Sequence, residues 1–160
     1  MSVRRFEPAD PPALRRVFMS SIHGLAKGFY SREQLEAWAP PAYDARQWAA
    51  RIGALRPYVA VVDGEVAGYA DLQASGHIEH FFVAEAFSGR GVGAALMARI
   101  HRTAARRGTA RLSACVSAAA EAFFIRHGFS VVQRQSATIN GVSLDNALMA
   151  RTLARGPERR

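Results

Sequence analysis

Between Val92 and Gly108 the apolar residues fall on one stripe, at Val92, Leu96, Ile100 and Ala104. That spacing predicts a helix of about 17 residues closed by Gly108 as its C′ glycine. The same period through Leu14, Val17, Phe18 and Ile22, to about Gly24, predicts an earlier helix. Asp10 stands where its N-cap is expected, with prolines in the first turn. Ser31-Arg32-Glu33-Gln34 reads as a capping box ahead of Leu35 and Trp38, and Ala39-Pro40-Pro41 stops that short helix. Asp44 to Ile52, ending near Gly53, and Ala118 to His127, closed by Gly128, complete the helices.

Elsewhere the pattern is that of strands. Val3 to Phe6 is a short one. Tyr58 to Val62 and Val66 to Gln73 form a hairpin around Asp63-Gly64, and Ser75-Gly76 turns the chain into His77 to Val83. Ala110 to Val116 follows the long helix, and Val131 to Thr138 pairs with Val142 to Arg151 around Asn140-Gly141. The order is β, helices, β-β-β, α, β, α, β-β. With no internal repeat and no linker, residues 1–155 read as one domain, followed by a charged tail (156–160) expected to be disordered.

Composition narrows the function. The 160 residues carry a net charge of +8, and all 21 basic side chains except Lys27 are arginines. They are spread along the chain without a dense block between aromatics, so nucleic acid is not the expected partner. A phosphate-rich cofactor also needs positive surroundings. One cysteine, Cys115, excludes an internal disulfide. With no apolar leader and no run long enough to span a membrane, the expectation is a cytoplasmic protein. No metal is implied.

The candidate chemistry lies in Phe87-Ser88-Gly89-Arg90-Gly91-Val92-Gly93-Ala94, between the β-rich run at His77–Val83 and the long helix. Strand, glycine loop and helix together present free backbone N–H groups and the positive end of a helix dipole to an anion. Three phosphate cradles compete. A P-loop requires GxxxxGK[ST], and no Lys-Ser/Thr pair follows these glycines. Gly89, Gly91 and Ala94 satisfy a dinucleotide fingerprint, but five residues, Ala84 to Ser88, separate strand from glycine. No acidic residue ends the next strand to hold a ribose. The third candidate is [QR]-x-x-G-x-[GA] behind a hydrophobic strand, and there the sequence resembles the GNAT superfamily of N-acetyltransferases. Ala120-x-x-Phe123-Phe124-x-x-x-Gly128-Phe129 is similar to that family's AxxFYxxxGF motif. Tyr30-x-x-x-Gln34, Ala37-Trp38-Ala39-Pro40 and Leu112-Ser113-Ala114 resemble its YafP-like branch.

The resemblance covers nearly the whole chain and implies a mixed α/β (α+β) fold, with about seven strands flanked by helices. It implies acetyl-CoA-dependent transfer of an acetyl group to a primary amine, without a covalent enzyme intermediate. The acceptor is expected to be a small molecule, with a protein N-terminus or lysine as alternative and a non-catalytic acyl-CoA-binding module as rival. A homodimer is left open. The cradle falls to backbone N–H groups from Gly89 to Ala94, with Arg90 adding charge and Ser88 standing where the family usually has Gln or Arg. Phe81, Phe82 and Val83 offer strand backbone to pantetheine. Ser117 stands near a cofactor-contacting Asn of the family, a weak correspondence.

A protonated amine cannot attack, so a base must take its proton. The family often places Glu or His four residues before the strand's last hydrophobic residue, which here is Glu79. His77 lies two residues earlier on the same face, and His80 on the other. The family's usual acid, a tyrosine, is replaced by Phe124, leaving Tyr69, Tyr30 or water as substitutes. His23, Phe29, Tyr30, Trp38 and Tyr69 are the expected acceptor-site residues.

Overall fold

Residues 1–154, described by a computed structural model, form eight strands and five α-helices. In order these are β1 (Ser2–Arg4), α1 (Pro11–Ser20, continued by a π-helical turn, Ser21–Leu25), α2 (Arg32–Trp38), α3 (Ala45–Leu55), β2 (Tyr58–Val62), β3 (Glu65–Ala70), β4 (His77–Ile78), β5 (Phe81–Val83), α4 (Val92–Arg107), β6 (Arg111–Ser117), α5 (Glu121–Arg126), β7 (Ser130–Ile139) and β8 (Val142–Thr152). The tail predicted to be disordered, 156–160, lies outside the described residues.

The strands build two four-stranded sheets, β1-β2-β3-β5 and β4-β6-β8-β7. Alternate residues of β2 serve opposite layers. Ala60 and Val62 join the core under α4, with Leu96, Met97, Ile100, Leu112 and Met149. Val59 packs with α1 and α3, among Leu14, Val17, Phe18, Trp48 and Ile52. A strand sandwiched between helical layers is buried on both faces, which is why this stretch lacks polar alternation.

Most predicted punctuation is present. Ser31 Oγ accepts from Gln34 N–H at 3.1 Å, and Ser31 N–H donates to Gln34 Oε1 at 2.8 Å, closing the capping box. Gly108 is left-handed at φ 68°. Asp63-Gly64 and Asn140-Gly141 each place two residues at positive φ, as a type I′ turn demands. Asp10 is a correction. It makes no side-chain cap, because Arg4 takes its carboxylate in two bonds of 2.8 and 2.9 Å and Glu7 N–H takes a third at 2.7 Å. The helix predicted to end near Gly53 instead runs to Leu55 and stops on Arg56 at φ 47°. The helix predicted from Ala118 begins only at Glu121.

The main departure is at His77–Val83, predicted as one strand. It is two strands, in different sheets, and this break supplies the eighth strand. His77 and Ile78 pair parallel with Ser113 and Ala114. Phe81 to Val83 pair antiparallel with Ala70, Tyr69 and Gly68. The cause is Asp71, fully buried where β3 ends. Its Oδ1 accepts from the backbone N–H groups of Glu79 (3.0 Å) and His80 (2.6 Å), replacing ladder bonds that the break removes. A buried N–H without a partner costs about 1–3 kcal/mol, so a carboxylate stands where a continuous sheet would have a carbonyl. Burial pushes the Asp71 carboxyl pKa up, against the hydrogen bonds from His80, Gln73 and Glu79 that favour the ion.

Candidate active site

The split of the strand leaves β5 at the border of its sheet, paired only with β3. Its other edge is free backbone. Side chains of β5 alternate, and the alternation separates two cavities. Phe81 and Val83 line one, of about 490 Å³, together with Ser88, Gly89, Gly91, Val92, Gly93, Ala94, Phe123 and Phe124. Phe82 lines the other, of about 320 Å³, with Glu79, His80, Arg51, Tyr30, Trp38, Ser117 and Asn146. A larger cavity, about 710 Å³, lies beside Arg5, Arg56 and Arg107 and holds none of the predicted site residues.

In the first cavity the glycines have distinct reasons. Gly89 and Gly91 sit at φ 73° and 82°, where a β-carbon is strained, and Gly91 caps α4. The first intrahelical bond of the following turn is Ala95 N–H to Gly91 carbonyl at 3.0 Å. The N–H groups of Val92, Gly93 and Ala94 precede it and have no intrahelical acceptor. Gly93 is needed for packing, since a β-carbon there would lie 2.9 Å from the Phe123 ring. Arg90 lies 3.9 Å from Asp63 and 5.2 Å from the Phe87 ring centre. The open edge, the glycine turn and the free N–H groups fit a pyrophosphate with an amide-bearing arm.

The match to the family profile described as "Acetyltransferase (GNAT) domain" extends over residues 27–146. This chain belongs to the GNAT acetyltransferase family. It is an acetyl-CoA-dependent N-acetyltransferase with a mixed α/β fold. It is 26% identical to the uncharacterised N-acetyltransferase YafP of Escherichia coli, over 93% of this chain and 94% of that protein. The crystal structure of a GCN5-related N-acetyltransferase from Rhodopseudomonas palustris aligns with TM-score 0.91 and 34% identity over 95% of each chain. The PaiA N-acetyltransferase of Thermoplasma acidophilum, solved with coenzyme A, shares the fold at TM-score 0.72 and 16% identity, over 95% of this chain and 98% of that one.

The smaller cavity is where the structure departs furthest from expectation. Glu79 faces the smaller cavity with its side chain half exposed, and its Oε2 lies 3.6 Å from His77 Nε2. His77 stands behind it, its Nδ1 3.0 Å from Ser113 Oγ. The two predicted catalytic side chains are therefore together, with Glu79 in front. His80 is buried beside them, and burial, aided by the Arg51 charge, pushes its pKa down to about 3. Arg51 Nη2 lies 3.2 Å from His80 Nε2. A guanidinium only donates, so Nε2 is the acceptor and Nδ1 carries the proton toward Tyr69 OH, 3.0 Å away. His80 is thus a neutral imidazole with its lone pair engaged.

Several predicted residues are placed elsewhere. Tyr69, expected in the acceptor site, is fully buried in the core, because its register opposite Val59 and Phe82 turns it inward under α1. Burial raises its phenol pKa well above the usual value, so it is no ready proton donor. Phe29 is exposed and lines neither cavity. His23 Nε2 donates to the Ala39 carbonyl at 2.7 Å, tying the π-helical turn to the end of α2. Ser117, expected beside the cofactor, lines the smaller cavity instead, as does the Phe82 side chain. Tyr30 and Trp38 do line it; Tyr30 OH donates to Asp145 carbonyl (2.7 Å) and accepts from Ala118 N–H (2.9 Å). Phe124 lines the glycine-loop cavity, its ring against Phe81, Phe123 and Phe129.

Sequence reasoning missed four residues here. Asp71 shapes the strand break. Arg126 adds a cation to the glycine-loop cavity, Arg51 a cation to the smaller cavity, and Asn146 an amide beside it. Arg126 occupies an unspecified position of the Ala120–Phe129 motif, and the other three lie in no motif; tertiary pairing brings those three to the site.

Proposed function

We propose that this protein acetylates a primary amine of a small molecule by direct attack on the thioester of acetyl-CoA, in the cytoplasm. The observation that carries the reading is the placement of β5 between two cavities, one walled by the glycine turn and one by Glu79. Acetyl-CoA supplies the activated acyl group. The residues from Gly89 to Ala94 bind its pyrophosphate through backbone N–H groups, and the free edge of Phe81 to Val83 bonds its amides. Glu79 accepts the ammonium proton, directly or through water, and His77 behind it orients the carboxylate. The amine nitrogen then bonds the carbonyl carbon, the carbon–sulfur bond breaks, and the nitrogen's second proton leaves to water or to the departing thiolate. With phenylalanine at position 124 and both nearby tyrosines engaged, the side chains offer no evident acid for that thiolate.

A thiol-release assay with a panel of small amines and peptides tests the reading. Acetylation of small amines in preference to peptides is expected; tight CoA binding without turnover on any amine would leave only a binding module. The cradle has its own test. Gly91→Asp puts a carboxylate among the phosphate-facing N–H groups and should weaken CoA at least about tenfold, or about 1.4 kcal/mol. Its left-handed φ adds about 1 kcal/mol of strain, which a melting curve reads separately. A folded Gly91→Asp protein with wild-type CoA affinity would remove this loop from the cofactor site.

A further inference from the structure

We propose that the acceptor is an amino carboxylate with an apolar side chain, and that Arg51 holds its carboxylate while Glu79 and Asn146 hold its amine. This names the acceptor class within the function proposed above and rests on that reading.

Arg51 and Glu79 are opposite charges on one cavity of about 320 Å³, yet they do not pair with each other. Glu79 has only His77 at 3.6 Å, and among the described residues Arg51 forms no ion pair. A surface arginine without an anion is ordinary. This one is tethered: its Nη2 donates to Nε2 of a buried neutral histidine, which is the residue after Glu79. The tether orients the guanidinium and leaves its remaining N–H groups for a ligand. A planar fork held in place beside an apolar pocket is suited to a carboxylate.

The second observation is Asn146. Its Oδ1 is buried and has no hydrogen-bond partner, and the residue lines the same cavity. A buried acceptor left unmatched calls for a donor, and an ammonium or amine N–H supplies one. Asp145, the other carboxylate on the cavity, already accepts from Ser136 Oγ at 2.6 Å. Phe18, Trp38, Phe82, Ile139 and Leu144 give the wall a surface for an apolar side chain, with Tyr30, Cys115 and Ser117 as its other polar members. Two groups for an ammonium, one for a carboxylate and an aromatic wall together describe an amino acid rather than a diamine, which would meet the Arg51 charge.

The test uses matched pairs: phenylalanine against phenethylamine, leucine against isopentylamine, and putrescine as the diamine. Acetyl-CoA consumption and the acetylated product are measured for each. We expect kcat/KM to be about tenfold or more higher for each amino acid than for its decarboxylated partner, the scale of one charge-assisted pair. Arg51→Gln keeps a donor for His80 and removes the charge, and should bring that ratio to near one. Turnover of amines with no preference for the carboxylate, a preference for putrescine, or a ratio untouched in Arg51→Gln would overturn this inference and leave the acetyltransferase reading standing. No turnover of any small amine would sink both.

Discussion

Glu79→Gln lowers kcat/KM for the acceptor amine by about 10²-fold or more at neutral pH, the usual scale for losing a general base. The substitution keeps the side chain's shape and removes its capacity to take a proton. The structure limits what else can change. The Glu79 backbone N–H stays on Asp71, so the strand break is unaffected, and the side chain is half exposed, so no buried charge is exchanged for an amide. CoA affinity should not move, because Glu79 and the glycine turn line different cavities on opposite sides of β5. The loss should shrink as pH rises, where the amine arrives already deprotonated. Initial rates across a pH series, with CoA affinity measured alongside, check both parts. Wild-type rates at every pH would make Glu79 a structural residue and pass the same test to His77, 3.6 Å behind it.

What could be read ahead of the structure was whatever is encoded locally. The capping box at Ser31, the left-handed C′ glycine at 108 and the two positive-φ turns each depend on residues within a few positions of one another. The element order needed only period counting. The broken strand was illegible for the opposite reason. Nothing between His77 and Val83 announces a break; the residue that makes it, Asp71, lies eight positions before Glu79 and acts through backbone N–H groups. His77 and Glu79 do meet, but period-two alternation fails across the break: His80, expected on the opposite face, is buried yet lines the same cavity as Glu79.

Size and polarity misled at Tyr69. An aromatic hydroxyl near the strand that carries the candidate base suggested a pocket residue, but a tyrosine can be buried when its hydroxyl finds a partner, and His80 Nδ1 provides one. Arg51 was hidden by ordinariness. One of three arginines in α3 and its flanks, it has no sequence feature that separates it from Arg46 or Arg56; only the packing of α3 over the strand break brings it to His80.

The neutral state of His80 should make the fold sensitive to mild acid. Its pKa is about 3 in the native protein, lowered first by burial and then by Arg51, against 6.5 for an unperturbed histidine. Between those values the unfolded chain binds a proton that the native protein does not, so stability falls as pH falls. The contribution is fully present above pH 6.5 and is lost progressively toward pH 3. At pH 5 the loss amounts to about 2 kcal/mol, from 1.36 kcal/mol per pH unit. His127, also lowered chiefly by burial, acts in the same direction. Asp71, raised by burial, acts oppositely: its contribution is lost as pH rises through its native pKa. A variant isolates His80 from both. His80→Gln has one acceptor for Arg51 and one donor for Tyr69 but does not titrate. Urea unfolding of both proteins from pH 7.5 to 5 should show the wild type losing about 2 kcal/mol more than the variant. Parallel pH profiles would mean that His80 protonates in the native state, and that Arg51 is not anchored on a neutral imidazole.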